Sequence, residues 1–74
     1  MRALLKEKDD QTIFAVEVVE MGYDKEEKEL YVTTQAHFYV ISRIVEVNAR
    51  SAVQELYEKG MVDLSTYDAE IDDD

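Results

Sequence analysis

The spacing of apolar residues in this 74-residue chain changes from a strand-like pattern to a helical one near residue 48. Between Phe38 and Val47 the apolar residues follow the order of an extended strand. From Ala49 to Tyr57 they recur every three or four residues, which is the spacing of one helical face. Gly60 then stands where a left-handed cap commonly ends a helix. A strand that leads into a short capped helix predicts a small α+β domain.

Four further segments have the character of strands. Thr12 to Met21 is rich in β-branched and aromatic residues and apolar on both faces, so we interpret it as one central strand. Glu29 to Thr34 alternates apolar and polar residues, and Met61 to Leu64 is apolar enough for a short last strand. Arg2 to Lys8 fits either an edge strand or a helical turn, and we favour the strand. The pattern therefore predicts a mostly antiparallel sheet of four or five strands with one short helix packed on one face.

Two positions leave alternatives open. The parity of the apolar residues slips at Ser42-Arg43, which indicates a β-bulge or sharp bend, or else a split into two strands. The helix begins either after Asn48 or after Ser51, where Gln54 would complete a capping box. In both cases the residues that face the sheet are Ala52, Val53, Leu56 and Tyr57.

The net charge of −10 is distributed unevenly along the chain. Residues 68–74 contain five acidic residues and no basic one, so they carry half of the excess. We therefore predict a single domain over residues 1–67, followed by a flexible acidic tail over residues 68–74. A strongly acidic surface repels phosphate backbones and anionic lipids, so we expect no direct binding to nucleic acid or membranes.

Cysteine is absent, so neither disulfides nor thiolate-bound zinc can supplement the thin core of so short a chain. Self-association is the most direct further source of stability. No apolar run approaches the roughly 18 residues of a membrane span, and no signal-peptide pattern precedes the first strand. A cytoplasmic protein is therefore expected.

Candidate catalytic groups are few. His37 is the single histidine and has no spaced set of further ligands, so it is interpreted as an edge or surface residue. Glu17, Glu20 and Glu46 lie in or beside apolar strands and are interpreted as solvent-facing or ion-paired residues. The acidic tail lacks the glycine and the distal glutamate of an EF-hand-like loop. We expect a protein without enzymatic activity, with no catalytic residue, metal or cofactor.

Four residues are candidate partner contacts. Tyr31 and Tyr67 could form part of an aromatic contact surface, since tyrosine is favoured at interfaces, or they could complete the core. Asp68 and Glu70 lie in the acidic segment that follows Tyr67. They are candidates as part of the acidic surface.

The run from Ile41 to Ser51, Ile-Ser-Arg-Ile-Val-Glu-Val-Asn-Ala-Arg-Ser, resembles the signature of the DpnD/PcfM-like small proteins. Those chains carry a similar Ser-Arg-x-Val-Glu-Val-x-Ala-x-Ser run that leads into a helix. Their helix ends near a Tyr-x-x-Gly, and a short strand and an acidic C-terminus follow. Tyr57, Gly60 and Leu64 stand at the corresponding places. The resemblance covers the second half of the chain and implies an accessory protein of bacteria and their mobile elements, with no established chemistry.

These observations together predict a non-enzymatic accessory or binding module that acts through protein–protein contacts. Its contact elements would be an exposed sheet edge and the acidic surface, and its partner either another protein or a second copy of the chain. The alternative is an acidic inhibitor that imitates nucleic acid and occupies the groove of a basic protein.

Overall fold

The computed structural model describes residues 1–72, which form six β-strands and one α-helix. In chain order the elements are β1 (Arg2–Glu7), β2 (Ile13–Glu17), β3 (Glu20–Asp24), β4 (Glu29–Thr33), β5 (Phe38–Ser42), α1 (Glu46–Lys59) and β6 (Met61–Ile71). The strands form one sheet in the order β2-β1-β6-β5-β4-β3. Every neighbouring pair is antiparallel except β1 and β6, which are parallel. The α+β class is confirmed, and the sheet is mostly antiparallel as predicted, with one parallel pair. The predicted number of four or five strands is wrong, because the sheet has six.

The segment from Thr12 to Met21, predicted as one central strand, forms two edge strands. Two residues, Val18 and Val19, separate β2 from β3. Val18 and Met21 are both buried although they are three residues apart, a spacing that a straight strand cannot place on one face. The corner at Val18–Val19 therefore turns Met21 into the core, whereas Ile13, Ala15 and Val19 before it remain exposed. Even-numbered residues of β2 and odd-numbered residues of β3 face the same core.

The sheet is rolled rather than flat. Its two edge strands follow each other in the chain, and their connection spans at most about 11 Å, whereas the edges of a flat six-stranded sheet lie about 24 Å apart. At the corner, the N–H of Val18 donates to the carbonyl oxygen of Met1 at 2.7 Å. The N–H of Val19 donates to the carbonyl oxygen of Thr33, also at 2.7 Å. The two edges thus meet at the corner, and the sheet curls around its core as an incomplete barrel.

The helix α1 begins at Glu46, before either predicted cap, Asn48 or Ser51. Its N-cap is Val45, which is extended and makes no side-chain hydrogen bond. The preceding Ile44 is only 1% exposed, so tertiary packing rather than a polar cap holds the chain at this point. The acidic first residue of the helix also suits the positive end of the helix dipole.

The chain bends sharply between β5 and α1. Arg43 has a φ of 61°, in the left-handed region, so a bend does lie at the predicted position. The predicted strand does not resume after it, because Ser42 is the last residue of β5. Val47, predicted as the end of that strand, lies in the first turn of the helix and is 70% exposed.

The helix ends at Gly60, as its position in the sequence predicts. Gly60 has a φ of 79°, and its N–H donates to the carbonyl oxygen of Leu56 at 2.7 Å. Leu56 is fully buried and Val53 is partly buried. Tyr57 was predicted to face the sheet but is 53% exposed, because it lies about 100° around the helix from the buried Leu56. Its hydroxyl reaches the sheet at the Met21 N–H.

One hydrophobic core lies between the rolled sheet and the helix. No polar or charged residue is buried in it among residues 1–72. Its largest fully buried side chains are Leu5, Leu30, Val32, Ile41, Ile44 and Leu56.

The strand β6 runs to Ile71, so the segment predicted as a flexible tail is part of the sheet up to that residue. Ala69 is only 1% exposed, and the N–H of Asp72 donates to the carbonyl oxygen of Phe38 at 2.7 Å. The segment is ordered because β6 pairs with β1 on one side and with β5 on the other. The predicted boundary at residue 67 thus falls inside a strand, and residues 73 and 74 of the predicted tail lie outside the described range.

Candidate functional site

The two edges of the sheet differ in how well they are covered. The helix packs beside β3. The N–H of Met21 donates to the hydroxyl of Tyr57 at 3.3 Å. The hydroxyl of Tyr23 donates to the carbonyl oxygen of Ile44 at 3.1 Å. The helix thus lies against the β3 edge and occupies one of its outward backbone groups, the Met21 N–H.

The β2 edge has no such cover. The N–H of Glu7 donates to the carbonyl oxygen of Thr12, and the N–H of Val18 donates to that of Met1. Because hydrogen-bonded and non-hydrogen-bonded pairs alternate along antiparallel strands, the even-numbered residues of β2 bond to β1. The residues that direct their N–H and C=O groups away from β1 are therefore Ile13, Ala15 and Glu17. Within the part of the chain that the structure describes, no strand pairs with them.

The outer face of β2 is apolar at one end and charged at the other. Ile13 is 57% exposed, and Ala15 beside it is exposed as well. The guanidinium of Arg2 contacts the carboxylate of Glu17 at 2.8 Å. The hydrogen bond from Arg2 and its positive charge hold the pKa of Glu17 below its ordinary value. Glu17 therefore stays ionised and locally compensated.

The inner face of β2 is only partly covered by the core. Phe14 and Val16 are half-buried, and the Phe14 ring lies 5.6 Å from the ring of Tyr39. A groove runs along the end of β2, between Val16–Val19 and the turn at Thr34–His37. The open edge thus borders a groove with apolar residues on one wall, which is a geometry that accepts an added strand.

Of the four predicted contact residues, Tyr31 stands apart from the others. It is half-buried, its ring stacks on Phe38 with centroids 5.9 Å apart, and it lies opposite Gly22 on the neighbouring strand. The other three line one polar cleft, together with basic side chains; the residues concerned are Tyr67, Asp68, Glu70, Lys6, Lys8 and Arg43. Tyr67 is also half-buried and packs against the core.

The two predicted acidic contacts are paired within the chain. Lys6 contacts Asp68 at 3.4 Å, and Lys8 contacts Glu70 at 3.6 Å. The side-chain amide of Gln11 donates to Asp68 at 3.1 Å. This hydrogen bond is the main reason why the pKa of Asp68 is below its ordinary value, and Lys6 adds to the effect. The free charge on this part of β6 is therefore smaller than its sequence indicates.

No group of three or more histidine, cysteine or acidic side chains in residues 1–72 is arranged to hold a metal ion. His37 is exposed and lies edge-on to the ring of Tyr39, with centroids 5.8 Å apart. No helix in the same part of the chain is long and apolar enough to cross a membrane.

The β2 edge was not among the predicted contact residues. The single signal for it is Glu17, since a charged residue within an apolar strand is typical of an exposed edge. That signal was interpreted as an ion pair or a solvent-facing residue, and the segment as a central strand.

No family model, no curated protein and no solved structure matches this chain.

Proposed function

We propose that this chain is a non-enzymatic accessory module that binds a protein partner by strand addition at the β2 edge. The observation that supports it is the contrast between the two edges of the sheet. At the β3 edge, α1 lies alongside and the Tyr57 hydroxyl binds the Met21 N–H, whereas three residues of β2 present unpaired N–H and C=O groups within residues 1–72. Strand addition gives affinity through these groups and specificity through alternate side chains.

A proline at Ala15 tests this proposal without breaking the internal ladder. The N–H of Ala15 points away from β1, and proline is tolerated on the open side of an edge strand. Ala15→Pro removes one outward donor and places a ring in the path of an incoming strand. Ala15→Val is the control, because it keeps the N–H and favours the strand conformation.

Circular dichroism would first show that the wild type, Ala15→Pro and Ala15→Val are folded. The three chains would then be immobilised and compared for the partner protein that each one binds. We expect the wild type and Ala15→Val to retain the same partner and Ala15→Pro to lose it. Equal binding by all three, or no binding partner and no self-association for the wild type, would refute the proposal.

The alternative is the acidic inhibitor that imitates nucleic acid, and the same assay distinguishes it from strand addition. Binding by such an inhibitor would survive Ala15→Pro and weaken steeply as salt is raised, since screening acts on exposed charges. Strand addition depends on short-range backbone hydrogen bonds. Its salt dependence would be weak.

We also propose membership in the DpnD/PcfM-like small proteins, on the run from Ile41 to Ser51 and on Tyr57, Gly60 and Leu64. In this chain the run spans the end of β5, the bend and the start of α1. An alignment of close homologues tests it. The Ser-Arg and Val-Glu-Val positions should persist in intermediate sequences that join this chain to the family.

A further inference from the structure

We infer that the strand which binds the β2 edge is the β2 strand of a second copy, antiparallel to the first, with Ala15 on the two-fold axis. The inference rests on the proposed function, because it specifies the partner for the same edge. The backbone, both faces of β2 and the charge distribution each support it.

The backbone groups are arranged symmetrically about Ala15. The outward-pointing groups belong to residues 13, 15 and 17, as the ladder with β1 shows. In an antiparallel pair centred on Ala15, Ile13 lies opposite Glu17 of the second copy, and Ala15 lies opposite its own equivalent. All three positions then fall on hydrogen-bonded pairs, and every outward N–H and C=O group of both strands finds a partner.

The outer face of such a pair contains no clash of size or charge. The two Ala15 side chains meet at the axis, and Leu4, which pairs with Ala15 across the β1–β2 ladder, flanks them on each side. Each Glu17 faces an Ile13, so like charges are not directly opposite, which would be destabilising. Each Glu17 also keeps its own Arg2 at 2.8 Å.

The inner face gains contacts that the single chain lacks. Phe14 and Val16 are only half-buried in one copy. The same register places Phe14 opposite Val16 of the second copy, at the closely spaced, non-hydrogen-bonded positions. An aromatic residue opposite a β-branched one is a stabilising cross-strand pair. The pairing thus continues the core across the junction.

The charge distribution allows two acidic chains to meet at this edge. Residues 1–17 contain three basic and four acidic side chains, whereas residues 18–74 contain five basic and fourteen acidic ones. The β1–β2 hairpin is therefore nearly neutral, and the repulsion expected from a net charge of −10 acts mainly between the other parts of the two copies.

Single cysteines test the register directly, because the chain contains no cysteine. The two Cα atoms of Ala15 would lie about 5.5 Å apart, within the range that a disulfide bridges. The two Cα atoms of Ile13 would lie about 14 Å apart, too far for a disulfide. We expect Ala15→Cys to form a covalent dimer under mild oxidation, and Ile13→Cys and Glu17→Cys to remain uncrosslinked alone. An equimolar mixture of Ile13→Cys and Glu17→Cys should crosslink.

Mass measurement tests the assembly without oxidation. Light scattering of the wild type and of Ala15→Val across a concentration series should approach twice the chain mass of 8.6 kDa, and Ala15→Pro should remain at the mass of one chain. A wild type that stays monomeric, or equal crosslinking at positions 13, 15 and 17, would overturn the inference.

The two levels of the proposal fail separately. If the wild type is monomeric but binds another protein, and Ala15→Pro loses that protein, self-pairing is refuted and strand addition is still supported. Ala15→Pro with no effect on either mass or partner binding refutes both.

Discussion

Gly22 and Tyr31 lie opposite each other on β3 and β4, and the tyrosine ring covers the glycine. A Cβ atom at Gly22 would overlap the Tyr31 hydroxyl and come within 3.0 Å of its Cε1. The ring cannot move aside freely, because it stacks on Phe38 at 5.9 Å. This glycine is therefore required by close approach, and not by its backbone conformation.

We expect Gly22→Ala to destabilise the protein by about 1–3 kcal/mol, which is the usual cost of overpacking. Urea denaturation at equilibrium measures the change. In a Tyr31→Val background the obstructing ring is gone, so the same alanine substitution should cost much less. An equal cost in both backgrounds would show that the ring is not the cause.

The second glycine, Gly60, is required by backbone conformation instead. Its φ is 79°, and a Cβ there would meet no atom within 4 Å. Gly60→Ala should therefore cost about 1–2 kcal/mol, the penalty of an L-residue in the left-handed region. Gly60→Asn should cost less, because asparagine tolerates that region. A lower urea midpoint with an unchanged slope would support this, and identical midpoints for alanine and asparagine would contradict it.

The Tyr57 hydroxyl accepts a hydrogen bond from Met21 on the β3 edge of the sheet. Tyr57→Phe removes that acceptor, so we expect a loss of about 0.5–1.5 kcal/mol and faster hydrogen exchange at the Met21 amide. Tyr67→Phe is the control, since the Tyr67 hydroxyl makes no hydrogen bond among residues 1–72. Unchanged exchange at Met21 in the Tyr57 variant would argue against this bond in solution.

The hydrogen bond from Gln11 makes the contribution of Asp68 to stability dependent on pH. The pKa of Asp68 is lowered in the folded state, so its contribution is complete above the unfolded value of about 3.9 and is lost as the pH falls through the lower folded value. We expect Asp68→Asn to reduce the urea midpoint at pH 7 and to have little effect near pH 2. A variant that is equally destabilised at both pH values would exclude this explanation. The same substitution in a Gln11→Ala background should have a smaller effect at pH 7.

Local chemistry explains the elements that could be predicted. The left-handed cap at Gly60 and the apolar helix face with Leu56 depend only on residues close together in the chain. A short stretch of sequence is therefore enough to predict the helix and its end. The same holds for β4, whose alternation is complete within Glu29–Thr33. The start of the helix could not be read in this way, because buried Ile44 and not a polar cap decides it.

The candidate site depended on contacts between distant segments. The sequence indicates a free acidic surface at Asp68 and Glu70, because Lys6 and Lys8 are about 60 residues away in the chain. Only the parallel pairing of β1 with β6 brings the lysines to these carboxylates. The open edge was hidden for a related reason. The apolar run from Thr12 to Met21 looks the same whether it crosses the sheet once in the middle or turns a corner between its two edges.

The sequence by itself determined that this chain is a small acidic α+β domain and where its helix stops, because periodicity, propensity and glycine caps act over a few residues. Tertiary structure alone decided that the last strand enters the middle of the sheet, which leaves β2 and β3 at its edges, and that α1 lies beside β3. Strand order depends on the burial of side chains from both halves of the chain at once. A single strand's alternation has the same period of two whichever neighbour it pairs with.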